Sequence, residues 1–245
     1  MHRASVTIAR FVRPRRVSRR DALPGLYERD LRKPNAADGP MKTNRLEAFS
    51  DGVLAIVITI MVLELEVPRG SSPAAFQPLW GAFLSYVLSF VFVATYWNNH
   101  NHLLYTVHAV TGGMLWANMH LLFWISVVPF VTRWMGESHF ARAPTAAYGC
   151  VLFMAAIAYW ILQRAIIRSQ GRDSLLRQAI GDDWKGGLSR LLLLTGIVVA
   201  AFTPYIAGVI YALTVALWLV PDKRIERVLM EPQGSSTRLG TRVTS

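Results

Sequence analysis

Between Asp51 and Glu64 the chain carries an uninterrupted uncharged run, Gly52 to Leu63, with a carboxylate at either end. Wound as a helix, that run rises about 18 Å, against roughly 30 Å of hydrocarbon in a bilayer. The segment from Arg45 to Glu66 therefore reads as a membrane helix that cannot face acyl chains along its whole length. Asp51 and Glu64 have to meet water or protein partners, which places the helix inside a bundle. Carboxylates at such depth are costly enough to mark an ion path or a polar network.

The rest of the chain has the composition of an integral membrane protein. Apolar residues make up 53% of it, and no Asp, Glu, Lys or Arg occurs from Gly70 through Thr132. That window has room for two crossings of around 20 residues each, with His100 to Gly113 expected as the polar hinge. Cutting the apolar runs at Gly, Pro and charge predicts an all-α protein with six transmembrane helices, roughly 45–66, 76–99, 114–135, 144–168, 187–203 and 204–221. Residues 191–221 form one charge-free run interrupted by Pro204, which suits either a kinked helix or a tight hairpin. Charge favours the hairpin. The connection carrying Arg164, Arg168, Arg172, Arg177, Lys185 and Arg190, and the tail carrying Lys223, Arg224 and Arg227, are both expected in the cytoplasm, which takes two crossings between them.

The same rule puts both termini in the cytoplasm of a multi-pass protein of the cell membrane. Residues 1–40 hold ten Arg/Lys against four acids and supply +6 of the net +11. Beside membrane spans, such charge sets orientation and meets anionic lipid headgroups rather than nucleic acid. Three divisions follow: a basic disordered cytoplasmic arm over 1–40, a transmembrane domain over 41–222, and a basic cytoplasmic tail over 223–245. Met41 is an alternative start. Cys150 is the only cysteine, which excludes an intrachain disulfide and a thiolate metal cluster, and it is expected as a small packing residue of the fourth span.

On a helix, Ile56, Ile60 and Leu63 share a stripe at i, i+4, i+7, with Thr59 beside them. Several copies around one axis would stack apolar rings that exclude water and add one ring of hydroxyl oxygens for a partly dehydrated cation. The same stripe also suits ordinary packing, with Thr59 bonded back to the carbonyl of Ala55. Asp51 is six residues from Arg45, so the two cannot form the simple helix-surface pair. Two roles are open to it. It can cap the helix from Gly52 onward, or it can join a network of Arg45, Ser50, His100 and Asn118, with Trp97, Asn98 and Trp116 as further donors.

Several of these residues fall in a known pattern. Arg45-x-x-x-Phe49-Ser50-Asp51, then Ala55-Ile56-x-x-Thr59, resembles the first-helix signature of the bacterial relatives of the endolysosomal potassium channel called transmembrane protein 175. Tyr96-Trp97-x-x-His100, Leu115-Trp116-x-Asn118 and Pro129-Phe130 fit the same family, and the resemblance covers about residues 41–222. It implies a homotetramer of six-helix subunits whose first helices line a central pore that passes potassium in preference to sodium. Carried onto this chain, Ile56 matches the apolar constriction, Thr59 the selectivity layer, and Ile60 and Leu63 further apolar rings. Arg45, Phe49, Ser50 and Asp51 match the bracing signature, with Trp97, His100 and Asn118 as network members. Potassium is then the permeant species, no cofactor is expected, and the partners are other copies of the chain and membrane lipid.

Two departures from the family pattern stand out. The basic arm lies outside it, and the hinge holds His100, His102 and His108 where relatives often carry Lys or Arg; these histidines are expected in a solvated loop. An enzyme would have to draw on His100, His102, His120, Glu64 and Glu66. His100 and His102 point differently on a helix, and no His-Glu-x-x-His run exists. A secondary transporter or proton-coupled protein is the alternative, but Val53 to Leu63 has neither an ionisable group nor the Gly/Pro break that coupling sites use.

Overall fold

The apolar runs become helices wherever nothing in them forbids it, and they stop at turn-forming residues. The computed structural model describes residues 43–107, 109–171 and 183–219; the expected arm, the tail, His108, Arg172 and Arg177 lie outside the described residues. Among the described residues six α-helices follow one another: α1 Thr43–Leu63, α2 Trp80–Tyr105, α3 Gly112–Glu137, α4 Arg142–Gln170, α5 Trp184–Ala200 and α6 Pro204–Leu219. A 3-10 helix, Pro73–Leu79, leads directly into α2. By length and composition, α1, α2 with its 3-10 lead, α3 and α4 can each cross a membrane, while α6 is a shorter apolar helix. The protein is thus a multi-pass membrane protein, and its described residues form helices and connecting turns with no strand among them.

Local chemistry sets the helix ends. The Thr111 hydroxyl accepts from the Met114 amide at 3.4 Å and starts α3, and the Asp183 carboxylate accepts from the Gly186 amide at 3.2 Å and starts α5. Such caps satisfy donors that a helix N-terminus leaves open. Pro204 occupies the first position of α6, where its missing N–H costs nothing. The charge-free run after Arg190 therefore breaks at 201–203 into two helices packed on each other.

The expected hinge is shorter than the sequence suggested. Helix α2 continues through His100 and His102 to Tyr105, because Trp97 to Leu104 contains no Gly or Pro to stop it. His100 is buried, not solvated. Cys150 also departs from expectation: it lies on the exposed side of α4, outside the packed core.

Helix α3 lies between α1, α2 and α4, and it buries Leu121, Leu122, Ile125, Val128, Val131 and Met135. Its centre is pinned by hydroxyls. Thr132 donates to the Val128 carbonyl at 2.7 Å, so it accepts from Ser89 at 2.7 Å, and Ser89 in turn accepts from Tyr148 at 2.9 Å. Three helices are joined without burying a charge, and every hydroxyl in the relay has a partner.

Helix α6 locks on through Tyr211. The ring is fully buried and its hydroxyl donates to the Thr145 carbonyl at 3.3 Å. Gly149 on α4 and Gly196 on α5 leave the space for it, since a Cβ at either position would overlap the tyrosine. Gly149→Ala should therefore cost about 1–3 kcal/mol through overpacking, read as a lower melting temperature in detergent. Gly187→Ala, where an added Cβ meets nothing, should not lower it.

Candidate functional site

Helix α1 has two unlike faces. Leu46, Ser50, Leu54, Val57 and Met61 are buried at three- and four-residue spacing, and this face packs on α2 and α3. The opposite stripe holds Arg45, Phe49, Ile56, Thr59, Ile60 and Leu63, all exposed within the subunit. Ile56 is 58% exposed and Leu63 81%. An apolar stripe on a helix usually packs against its own subunit. Here the subunit buries the other one.

The buried face is held by a polar network at one end of the bundle. The Asn118 amide donates to Ser50 Oγ at 3.0 Å, and Ser50 passes a hydrogen bond to the Leu46 carbonyl at 2.8 Å. With its amide nitrogen so engaged, Asn118 presents Oδ1 to His100 Nε2 at 2.7 Å. His100 must then carry its proton on Nε2, and Nδ1 is buried without a partner. All three side chains are buried. Beside them Trp97 Nε1 donates to Asp51 Oδ1 at 3.0 Å, which gives the carboxylate a protein partner. A further tie runs from Thr43 Oγ1 to the Val107 carbonyl at 3.2 Å.

Of the residues singled out in the sequence, the fold brings together Ser50, Asp51, Trp97, His100 and Asn118. It leaves Arg45 and Phe49 on the exposed stripe with Ile56. Trp116, 78% exposed, and Asn98 also face outward. Asp51 sits inside α1, two turns from its start, so the capping role is ruled out by position. Thr59 does bond back to its own helix, but to the Ile56 carbonyl at 2.9 Å and not to Ala55. That bond uses the hydroxyl proton and leaves the oxygen lone pairs free to accept or coordinate.

The other end of α1 carries charge. Glu64 and Glu66 share a cavity of about 240 Å³ with Arg133, Glu137 and His139, and Arg133 donates to Glu137 at 2.6 Å. This i,i+4 pair was legible as spacing, but its meeting with Glu64 and Glu66 depends on α1 packing against α3. His120 is spoken for by Trp124, whose Nε1 donates to it at 2.9 Å. Among the described residues no group of three or more His, Cys, Asp and Glu is placed to hold a metal ion.

A helical membrane bundle thus braces one helix from behind and leaves that helix's apolar front uncovered by the rest of its own chain. Residues 45–129 match the family described as the endosomal/lysosomal potassium channel TMEM175. A protein of Chryseobacterium sp. (strain P1-3) named a potassium channel is 55% identical over 191 residues, spanning 78% of this chain and all of the relative. The chain therefore belongs to the TMEM175 family. It is also similar to the human endosomal/lysosomal proton channel TMEM175, at 29% identity over 63% of this chain and 33% of that protein. Among solved structures, the crystal structure of a lysosomal potassium-selective channel TMEM175 homolog from Chamaesiphon minutus has the same fold. Its TM-score is 0.66 at 23% identity, over 74% of this chain and 97% of the other.

Proposed function

We propose that this chain is the subunit of a potassium-selective channel that conducts passively, with four copies placing α1 around a shared axis. The reading rests on one observation: α1 turns Ile56, Thr59, Ile60 and Leu63 away from its own subunit while its back is fixed by Ser50, Asn118 and His100. Lipid is a poor occupant for that front, because the uncharged run is about 18 Å long and ends in charge at both sides. Other copies of the same helix fit it, and relatives named potassium channels support the choice of ion. All six helices then cross the bilayer, with both termini and the α4–α5 connection in the cytoplasm.

In such an assembly Ile56 forms the narrowest collar, with Ile60 and Leu63 as further apolar rings. The Thr59 oxygens replace part of a cation's hydration, and Glu64 and Glu66 raise cation concentration at the outer mouth. Ser50, Asp51, Trp97, His100 and Asn118 keep α1 in register behind the pore, while Arg45 and Phe49, on the exposed stripe with Ile56, brace α1 against neighbouring copies. Potassium flux from liposomes holding the purified protein, with valinomycin as the calibrant, is the direct test. Flux driven by a potassium gradient alone supports the channel. Flux that needs a proton gradient, or acidification without potassium movement, overturns it in favour of coupled transport or proton conduction.

Thr59→Val keeps size and branching but removes the oxygen. It should lower potassium-over-sodium permeability by about threefold to tenfold with total flux retained, equivalent to roughly 0.7–1.4 kcal/mol. Bi-ionic reversal potentials measure this, and an unchanged ratio removes Thr59 from the selectivity layer.

A further inference from the structure

Helix α4 carries no Asp, Glu, Lys or Arg from Ala143 to Gln163. That stretch is about 30 Å long as a helix, the thickness of the hydrocarbon. Arg164 is therefore the first charge beyond the apolar layer, and Trp160, one turn before it, lies at the depth where indoles settle in the interface. Arg190 has the matching place on α5, since residues 191–219 that follow it are free of charge. The packing of α4 on α5 brings both guanidinium groups to the same indole. Arg164 Cζ is 5.2 Å and Arg190 Cζ 5.8 Å from the Trp160 ring centroid, within the range of a cation–π contact.

Two cations gathered on one ring repel each other, and the acid nearby is a weak counter-ion. Arg190 reaches Asp183 Oδ2 at 3.5 Å, while the other oxygen of Asp183 caps α5. Among the described residues no carboxylate pairs with Arg164. Arg168, exposed one turn further along α4, adds to the positive side. Orienting the protein in the bilayer requires basic residues somewhere in this connection. It does not require two of them to converge on a tryptophan at headgroup depth.

We propose that Trp160, Arg164 and Arg190 form a binding site for the phosphate of an anionic lipid headgroup at the α4–α5 end of the subunit. The guanidinium fork matches phosphate oxygens in geometry and charge. The indole offers an apolar body to the glycerol and the first methylenes of the lipid. Basic pockets between membrane helices on the cytoplasmic side take headgroups of this kind. The site rests on the proposed reading that α4 and α5 cross the membrane with their connection in the cytoplasm, but not on conduction.

Native mass spectrometry of the purified full chain in detergent, titrated with phosphatidylglycerol, tests the site. Phosphatidylcholine and inorganic phosphate form parallel arms. Phosphatidylglycerol should bind where phosphatidylcholine does not, and inorganic phosphate at equal concentration should not displace it. Among the described residues Arg164 has no side-chain partner besides Trp160, so the fold of Arg164→Gln should persist, and it should weaken phosphatidylglycerol binding about fivefold. Arg164→Lys should retain part of the affinity, and Arg142→Gln, at the opposite end of α4, should retain all of it. Equal binding by wild type and Arg164→Gln overturns the site. Equal binding of the two lipids, displacement by inorganic phosphate, or an equal loss with Arg142→Gln does the same. Labelling of a cysteine introduced in the 172–182 connection from outside the cell overturns the cytoplasmic placement of the site, while binding itself is judged by the titration, which is read in detergent. Loss of potassium flux with lipid binding intact separates the site from the channel reading.

Discussion

Ile56→Asn should raise potassium flux through the reconstituted protein by about tenfold or more and bring potassium and sodium permeation close together. The collar proposed at this position works by refusing water, because a ring of branched hydrocarbon gives a hydrated ion nothing to exchange its shell for. An amide of similar size supplies donors and acceptors from every subunit. One hydrogen bond is worth about 0.5–1.5 kcal/mol net, and a tenfold change in rate takes about 1.4 kcal/mol, so four amides are more than sufficient. Side-chain exposure makes the substitution safe for the subunit, since Ile56 is among the exposed residues of α1 and outside the buried core. Flux and reversal potential should therefore change without loss of the folded protein. If both remain at wild-type values, Ile56 faces lipid or another surface and the pore axis has been assigned to the wrong face of α1.

Much of this arrangement could be read from the sequence because membrane helices are governed by length and charge. Asp51, at the end of the uncharged run from Gly52 to Leu63, needed a donor, and in the fold Trp97 supplies it. What the sequence could not supply was the vertical extent of α2. The stretch from His100 to Gly113 looked like a polar hinge, yet polarity ends a membrane helix only when water is there to receive it. His100 instead finds Asn118 inside the protein, and the helix continues past it. The same limit explains Tyr211. Glycines at 149 and 196 lie on different helices, and no pattern along the chain says that they face one tyrosine. The choice of acceptor by Thr59 was equally out of reach, because the i−3 and i−4 carbonyls both suit a threonine and rotamer detail decides between them.

Asn118→Ala should destabilise the folded protein by about 2–4 kcal/mol and reduce flux with it. The side chain links α3 to both α1 and α2, and truncation orphans the His100 Nε2 proton. A buried donor without a partner costs about 1–3 kcal/mol, and His100 already buries an unpaired Nδ1. The lost contacts of Asn118 add the remainder. Ser50→Ala attacks the same network from α1, stranding the Asn118 amide proton. Because the two residues share one hydrogen bond, their costs should not add: the double variant should be more stable than the sum of the singles predicts by about 0.5–3 kcal/mol. Thermal melting of the detergent-solubilised protein followed by size exclusion reads all four corners of this cycle. Asn98→Ala, one helix away and exposed, should stay within about 0.5 kcal/mol of wild type. The link to conduction is that Ser50 is on the back of the helix that carries Ile56 and Thr59 on its front. If the network holds that helix in register, Asn118→Ala should broaden the spread of single-channel conductances at temperatures where the protein is still folded. Strictly additive melting shifts, with conductance unaltered below the melting point, would mean that the network fills space behind α1 without setting where its front points.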